Sequence, residues 1–242
     1  MRGVIGAIGL LVLGIAAAVF SAPVAASVYT ATFTGTLYGA ADFAGLFGAP
    51  GTDISGQAFT VVYRVDTGVP GIVDFAAGNG RYLYSGAYYY SGLPTAMSAT
   101  MTVGGHTVGL TGNYKGQIVQ GNGFTPLGKV GNGDEISYIL DSTDYVSRYD
   151  SISFSIGSFG EFVSTANFDA PGHYSFAGTV SDNRFSFANG TNEAYGSLHA
   201  TDLVVAEAGA VPEPAAWAML LTGFLLTGAA ARRRSSSRVV AA

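Results

Sequence analysis

The sequence predicts an all-β protein. It reads as an antiparallel β-sandwich or jelly-roll-like single domain, flanked by an N-terminal signal peptide and a C-terminal transmembrane helix. Three observations predict this. Apolar and polar residues alternate with period two in segment after segment. Glycine-rich turn signals separate those segments, and glycine accounts for 35 of 242 residues. No 12-residue window between 27 and 207 carries a convincing 3.6-residue period.

The strands can be justified in order. Val28–Leu37 alternates aromatic or aliphatic residues with threonine. Phe59, Val61, Tyr63 and Val65 alternate with Thr60, Val62, Arg64 and Asp66. Arg81–Tyr90 is rich in tyrosine, a favoured strand residue. Met97–Val103 and His106–Leu110 flank Gly104-Gly105, which is a hairpin signal. Ile136–Leu140 follows. Ile152, Phe154 and Ile156 then alternate with serines. Tyr174, Phe176, Gly178 and Val180 form a further alternating run, followed by Phe185–Ala188 and Ser197–Val205. Only around Asp141–Arg148 does the pattern suggest a short helix. Some nine to eleven short strands suit a sandwich or jelly roll. The domain spans 27–206, and about 180 residues can bury a real core. It must do so unaided, because the chain has no cysteine and hence no disulfide. Residues 207–211 are small and flexible and read as a linker.

Both ends carry uncharged runs. Met1-Arg2 is a short positive region, Gly3–Phe20 is uncharged, and small residues follow at Ser21–Ala26. This is the pattern of a secretory signal peptide over residues 1–26, with Val24 and Ala26 at the cleavage site. Ala215–Ala231 is a second uncharged run of 17 residues. As a helix it would reach about 26 Å, at the short end for spanning a bilayer. Trp217 stands where an interfacial aromatic belongs, and Arg232, Arg233 and Arg234 form a stop-transfer cluster that stays on the cytoplasmic side. Residues 235–242 would be a short cytosolic tail. The basic residues thus mark membrane topology, with the domain outside.

Val211-Pro212-Glu213-Pro214-Ala215-Ala216-Trp217, the apolar run that follows, and the arginine cluster together resemble the PEP-CTERM sorting signal. Order, spacing and the accompanying signal peptide all match over 212–234. The resemblance implies that Pro212, Glu213 and Pro214 are the sorting and processing motif. It implies exosortase as a partner, after signal peptidase and the Sec machinery. It also implies export in a diderm bacterium through an inner-membrane intermediate to the cell surface or beyond, often beside exopolysaccharide and biofilm production. Nothing catalytic follows, because the domains that precede such tails vary widely.

Composition narrows the activity. Only 11% of residues are charged, against about 25% in a typical soluble domain. Between 27 and 211 there are six basic and fifteen acidic residues, a net charge of −9. That balance argues against nucleic acid, whose binding needs clustered cations. No Gly-x-Ser-x-Gly nucleophile elbow occurs. His106, His173 and His199 are dispersed and lack the two-histidine spacing of a zinc protease. No cofactor is expected. Gly131-Asn132-Gly133-Asp134 with Asp141 and Asp144 reads as a turn with solvated acids, or as an oxygen-rich loop suited to calcium.

The candidate ligand surface is the tyrosine-rich stretch. Tyr82, Tyr84, Tyr88 and Tyr90 share one parity if no break occurs at Gly86. Such a row can stack on sugar rings, or it can fill the core. The expected function is therefore that of an exported, non-catalytic surface or extracellular-matrix protein sorted through its tail. The alternative is a carbohydrate-binding module that tethers polysaccharide through Tyr82–Tyr90. A third reading, a jelly-roll glycan-cleaving enzyme, would require two carboxylates facing each other across a groove.

Overall fold

The computed structural model describes residues 28–86, 93–112, 114–124, 133–142, 150–158, 162–177 and 179–208. Among these residues lie fourteen strands and no helix. They are β1 (Val28–Asp42), β2 (Thr52–Asp53), β3 (Ala58–Asp66), β4 (Val73–Ala77), β5 (Gly80–Ser85), β6 (Met97–Val103) and β7 (His106–Leu110). There follow β8 (Lys115–Phe124), β9 (Gly133–Asp141), β10 (Ser151–Ser158), β11 (Gly172–Ser175), β12 (Val180–Ser181), β13 (Arg184–Asn189) and β14 (Asn192–Glu207). The signal-peptide, linker-end and tail segments at 1–26 and 209–242 lie outside the described residues, as do Tyr88, Tyr90 and most of the 141–148 segment.

Every pairing is antiparallel, and all strands belong to one sheet. Its path runs β4-β5-β8-β9-β10-β13-β14-β1-β3-β6-β7, with β2, β11 and β12 as side branches. The two faces expected of a sandwich are therefore two halves of one curled sheet. The curl follows from which residues touch. β1 and β10 are three strands apart along the path, about 14 Å if the sheet were flat. Yet the rings of Phe33 and Phe154 stack with centroids 4.0 Å apart and planes 6° from parallel. Tyr63 on β3, one strand further, donates its hydroxyl hydrogen toward the carbonyls of Ile152 (2.9 Å) and Tyr138 (3.3 Å).

The period-two pattern explains what lies inside. Tyr29, Ala31 and Phe33 of β1 are fully buried, as are Val61, Tyr63 and Val65 of β3 and Ile152, Phe154 and Ile156 of β10. Their alternating threonine, arginine and serine neighbours face outward. Burial pushes the Tyr63 phenol well above its ordinary pKa and keeps it a hydrogen-bond donor. β1 and β14 form the long spine. They approach so closely at Gly35 that a side-chain carbon there would fall 2.0 Å from the His199 carbonyl oxygen. Glycine is required at that point by the contact. The register shifts beside it, and Thr201 Oγ1 donates to the Thr34 carbonyl across the irregularity.

The hairpin of β6 and β7 turns at Gly104 and Gly105, both with positive φ, as its two-residue loop requires. Two runs read as single strands are divided. Arg81–Tyr90 stops as β5 at Ser85, because Gly86 has φ of 67° and packs against the Tyr114 carbonyl. The Tyr174–Val180 run becomes β11 and β12, separated by a turn in which Thr179 N–H donates to the Phe176 carbonyl. β2, β4 and β8 were not anticipated. The inward side of β8 carries Gly116, Ile118 and Gln120, which hides its alternation.

Replacing Phe154 with alanine is expected to cost about 3–5 kcal/mol, because it empties the centre of the aromatic contact. Tyr63→Phe should cost only about 1 kcal/mol, since it deletes one hydroxyl and leaves the ring in place. Urea denaturation curves of the two variants check both magnitudes. Equal losses would show that the hydroxyl bridge, and not the ring stack, holds the two halves of the sheet together.

Candidate functional site

Alternation along β5 decides which of its side chains can meet a ligand. Leu83 and Ser85 point inward and are buried, so Tyr82 and Tyr84 point outward. Phe75 on the edge strand β4 is directly opposite Tyr82 in the register. Its ring stacks on that of Tyr82, with centroids 5.2 Å apart and planes at 14°, and lies 6.2 Å from Tyr84 at 31°. The Tyr82 ring lies back over Gly80, where an added side-chain carbon would sit 3.3 Å from the ring. Val119 of β8, the partner of Tyr82 on the other side, forms part of the floor. The result is a three-ring aromatic ladder on the outer face. Phe75 is 42% exposed, and both tyrosines are half-buried. Burial, and then the negative field of Glu135, raise the Tyr82 phenol above its ordinary pKa.

The inner side of the same hairpin is clamped by charge. Arg81 makes a two-pronged pair with Asp74, Nε to Oδ1 at 3.0 Å and Nη2 to Oδ2 at 2.7 Å. Its Nη1 lies 3.0 Å from Asp169 and also donates to Asn167. The guanidinium sits 4.2 Å above the centroid of the Phe168 ring. These contacts tie the β4–β5 hairpin to the 162–177 segment. A ladder on an edge hairpin would otherwise be free to fray.

The sequence-predicted tyrosines are thus partly brought together. Tyr82 and Tyr84 form one surface, while Tyr88 and Tyr90 lie outside the described residues. β5 itself ends at Ser85, before Gly86 with its positive φ. Phe75 was missed. Its run, Val73-Asp74-Phe75-Ala76-Ala77, holds one large side chain among small ones and lacks an alternating apolar face. Two strand-like runs joined by Gly78-Asn79 were the signal that could have found it. Pro212, Glu213, Pro214, Trp217, Arg232, Arg233 and Arg234 all lie outside the described residues.

The buried carboxylates have structural work. Asp42 accepts the backbone N–H groups of Leu46 (2.9 Å) and Phe47 (2.7 Å). Asp134 is fully buried and accepts three, from Gly123 (2.9 Å), Phe162 (2.5 Å) and Val163 (2.6 Å). Asp150, which is only half-buried, accepts the N–H of Ala188 in β13 at 2.8 Å. The suggested calcium loop is not assembled from Asp134 and Asp141. They sit seven residues apart toward opposite ends of β9, about 23 Å along the strand. Asp141 faces Lys115 across the β8–β9 register. Burial lifts its carboxyl to about 6, against the opposing pull of Lys115. The histidines stay apart. His106 is exposed in β7 beside its turn, His173 Nε2 lies 3.0 Å from Asp202, and His199 is exposed on β14. Hydrogen bonds from Thr201 and His173 hold the Asp202 carboxyl below its ordinary range. Among the described residues no group of three or more histidine or carboxylate side chains could hold a metal ion. Nor is any helix there long and apolar enough to cross a membrane.

No protein-family model matches the chain, and comparison with curated proteins and with solved structures finds no match.

Asp134→Asn should destabilise the fold by about 2–4 kcal/mol, because one amide oxygen cannot serve three backbone donors and the new NH₂ group would face one of them. Chemical denaturation at neutral pH measures the loss. Asp141→Asn should behave oppositely and depend on pH. The wild-type carboxyl is easier to keep protonated in the folded state than in the unfolded chain. Its favourable effect is complete below about pH 4 and fades as pH rises through about 6. The variant should therefore match wild type at pH 4 and exceed it in stability at pH 8. A variant that is less stable at pH 8 would show that the attraction to Lys115 outweighs the desolvation.

Proposed function

We propose that this chain is an exported, non-catalytic surface protein that holds polysaccharide at the bacterial envelope. Its jelly-roll-like sandwich domain makes contact through the outward ladder of Phe75, Tyr82 and Tyr84. The observation that carries this reading is the ladder itself, with rings aligned and partly exposed on an otherwise serine- and threonine-rich surface. Aromatic faces meet the apolar C–H faces of pyranose rings, and phenol hydroxyls bond to sugar hydroxyls at the rim. Delivery rests on the ends of the sequence. The signal peptide opens the route, and exosortase acts at Pro212-Glu213-Pro214 while the apolar run and Arg232–Arg234 hold the chain in the inner membrane.

Two measurements test the reading. Affinity electrophoresis of the full-length chain in detergent, through gels containing neutral glucan, xylan or galactomannan, should show retardation. Phe75→Ala with Tyr84→Ala should weaken it about tenfold, which corresponds to the loss of some 1.4 kcal/mol of stacking. Retardation that persists unchanged in the double variant sinks the ladder as the contact surface. For delivery, the intact mass of the protein from native cells should run from near Ser27 to near Pro212, and the C-terminal run should be retained when exosortase is deleted. An unprocessed C-terminus in both strains would reduce the tail to an anchor.

A further inference from the structure

Three of the five large apolar side chains most exposed on the described surface lie together on the outer face of the β1–β14 spine, far from the ladder. They are Tyr38 (76% exposed), Phe43 (49%) and Tyr195 (43%). The register places Tyr38 opposite Ser197 and Ala41 opposite Tyr195, so these residues follow one line along the two strands. Phe43 and Tyr195 touch, with centroids 6.2 Å apart. Tyr38 makes no ring contact or hydrogen bond among the described residues.

Beside Tyr38 the strip opens into a shallow cleft of about 380 Å³, walled by β14 and by the turn from Ser181 to Asn183. Ser197 and His199 of β14 face into it. It adjoins a second hollow of about 220 Å³ through two shared residues, Ser181 and His199, and Thr179 and Thr201 continue the hydroxyl lining there. The walls are fixed. Asn183 accepts the N–H of Ser155 at 2.9 Å and donates to the Leu198 carbonyl at 3.1 Å. Arg184 donates to Asp182 from Nη2 at 2.7 and 2.8 Å and from Nε at 3.3 Å.

The lining selects a ligand by its chemistry. It offers hydroxyls, a carboxylate and an imidazole. The lining itself holds no lysine or arginine, and the neighbouring Arg184 is paired with Asp182, so the cleft has no clustered positive charge to select an anion. Leu198 is the one aliphatic side chain of the lining, too little to hold a lipid chain. What fits is a neutral ligand, rich in hydroxyls and with one flat apolar face to lie against Tyr38. The main hollow falls within the ~300–1,000 Å³ range of small-molecule sites. We infer that the cleft beside Tyr38 and His199 is a second saccharide-binding site.

The ladder sits on β4 and β5 and the cleft on β14. Five strand spacings separate β5 from β14, about 24 Å along the curled surface. The two sites use no common residue. A chain carrying both is bivalent and can bridge two polysaccharide strands, which multiplies weak single-site affinities into firm retention. The inference thus extends the polysaccharide role to another face, while resting on residues of its own.

The test counts sites. Full-length protein in detergent is titrated calorimetrically with cellohexaose, xylohexaose and mannohexaose, and is mixed with the corresponding soluble polysaccharides to follow cross-linking by viscosity. Tyr38→Ala and His199→Ala alter exposed side chains and should leave the fold intact, which thermal melting confirms. The wild type should bind two hexasaccharides per chain and raise viscosity. The Tyr38→Ala/His199→Ala pair should bind one, at the ladder, and lose the viscosity rise. Phe75→Ala/Tyr84→Ala should also bind one, at the cleft. A stoichiometry of one in wild type that is abolished by the ladder variants and untouched by Tyr38→Ala/His199→Ala overturns the second site and leaves the proposed function standing. A stoichiometry of one abolished only by Tyr38→Ala/His199→Ala does the reverse. Absence of binding to all three probes overturns both.

Discussion

The fold depends on one contact, the stack of Phe33 on Phe154 across the interior of the curled sheet. A sheet this broad has an apolar inner face that needs a partner. There is no helix among the described residues to cover it and no cysteine to staple it. The remaining solution is for the sheet to cover itself. Phe33 and Phe154 are where β1 and β10 meet, and Tyr138, Tyr63, Phe59 and Phe176 pack their rings around that pair. Each ring adds area removed from water and a favourable edge or face contact. The hydroxyl of Tyr63 then reaches the carbonyls of the facing wall and fixes the depth of the closure.

Closure of this kind leaves its loops to be held by polar groups. A curled sheet turns its connecting segments over the ends of the core, where their backbone N–H groups cannot all find strands. Asp42 and Asp134 accept those hydrogens. A carboxylate that receives two or three backbone N–H bonds replaces the hydration it lost on burial. This explains why an acidic domain can bury Asp42 and Asp134 completely. It also withdraws those acids from chemistry. The same economy appears at the β4–β5 edge, where Arg81 is shared among Asp74, Asp169 and Asn167 and covers the face of Phe168.

How much of this was legible follows from what each segment buries. β3, β6 and β10 carry alternation because one face of each is inside, whereas β7, buried only at Leu110, was legible through its Gly104-Gly105 turn; the bounds of all four were readable nearly to the residue. β8 was invisible because Gly116 and Gln120 occupy two of its inward positions. Gly116 is dictated by tight packing, since an added side-chain carbon would meet Ser85 and Met97. β4 was invisible because an edge strand with one covered face, and that face polar at Asp74, has no apolar period to show. For the same reason the candidate site was half legible. The parity of Tyr82 and Tyr84 is a local property of β5, but Phe75 joins them only through strand pairing. The shared parity of Tyr88 and Tyr90 was conditional on an unbroken strand through Gly86, whose φ is positive and where an added side-chain carbon would meet the Tyr114 carbonyl. The cleft beside Tyr38 had no signal at all, because it is assembled from β1, β14 and the β12–β13 turn, which are remote in sequence.

The outer surface can be read against the same constraint. Period two assigns one residue in two to the outside of each strand, and threonine and serine recur at those positions on β1, β6, β10 and β14, where they meet water without charge. Aromatic rings outside therefore gain nothing from the core and must be weighed as surface features. Isolated ones need no explanation. Phe75, Tyr82 and Tyr84 are not isolated, and neither are Phe43 and Tyr195, since in each group the rings touch their neighbours. Grouping orders the rings before any ligand arrives and so lowers the entropic cost of binding one. An acidic surface with few free cations repels polyanions, whereas hydroxyl-rich neutral chains meet no such barrier. The curled sheet thus supplies rigid, mutually distant platforms whose chemistry suits neutral polysaccharide, and it does so without using any residue on which its own closure depends.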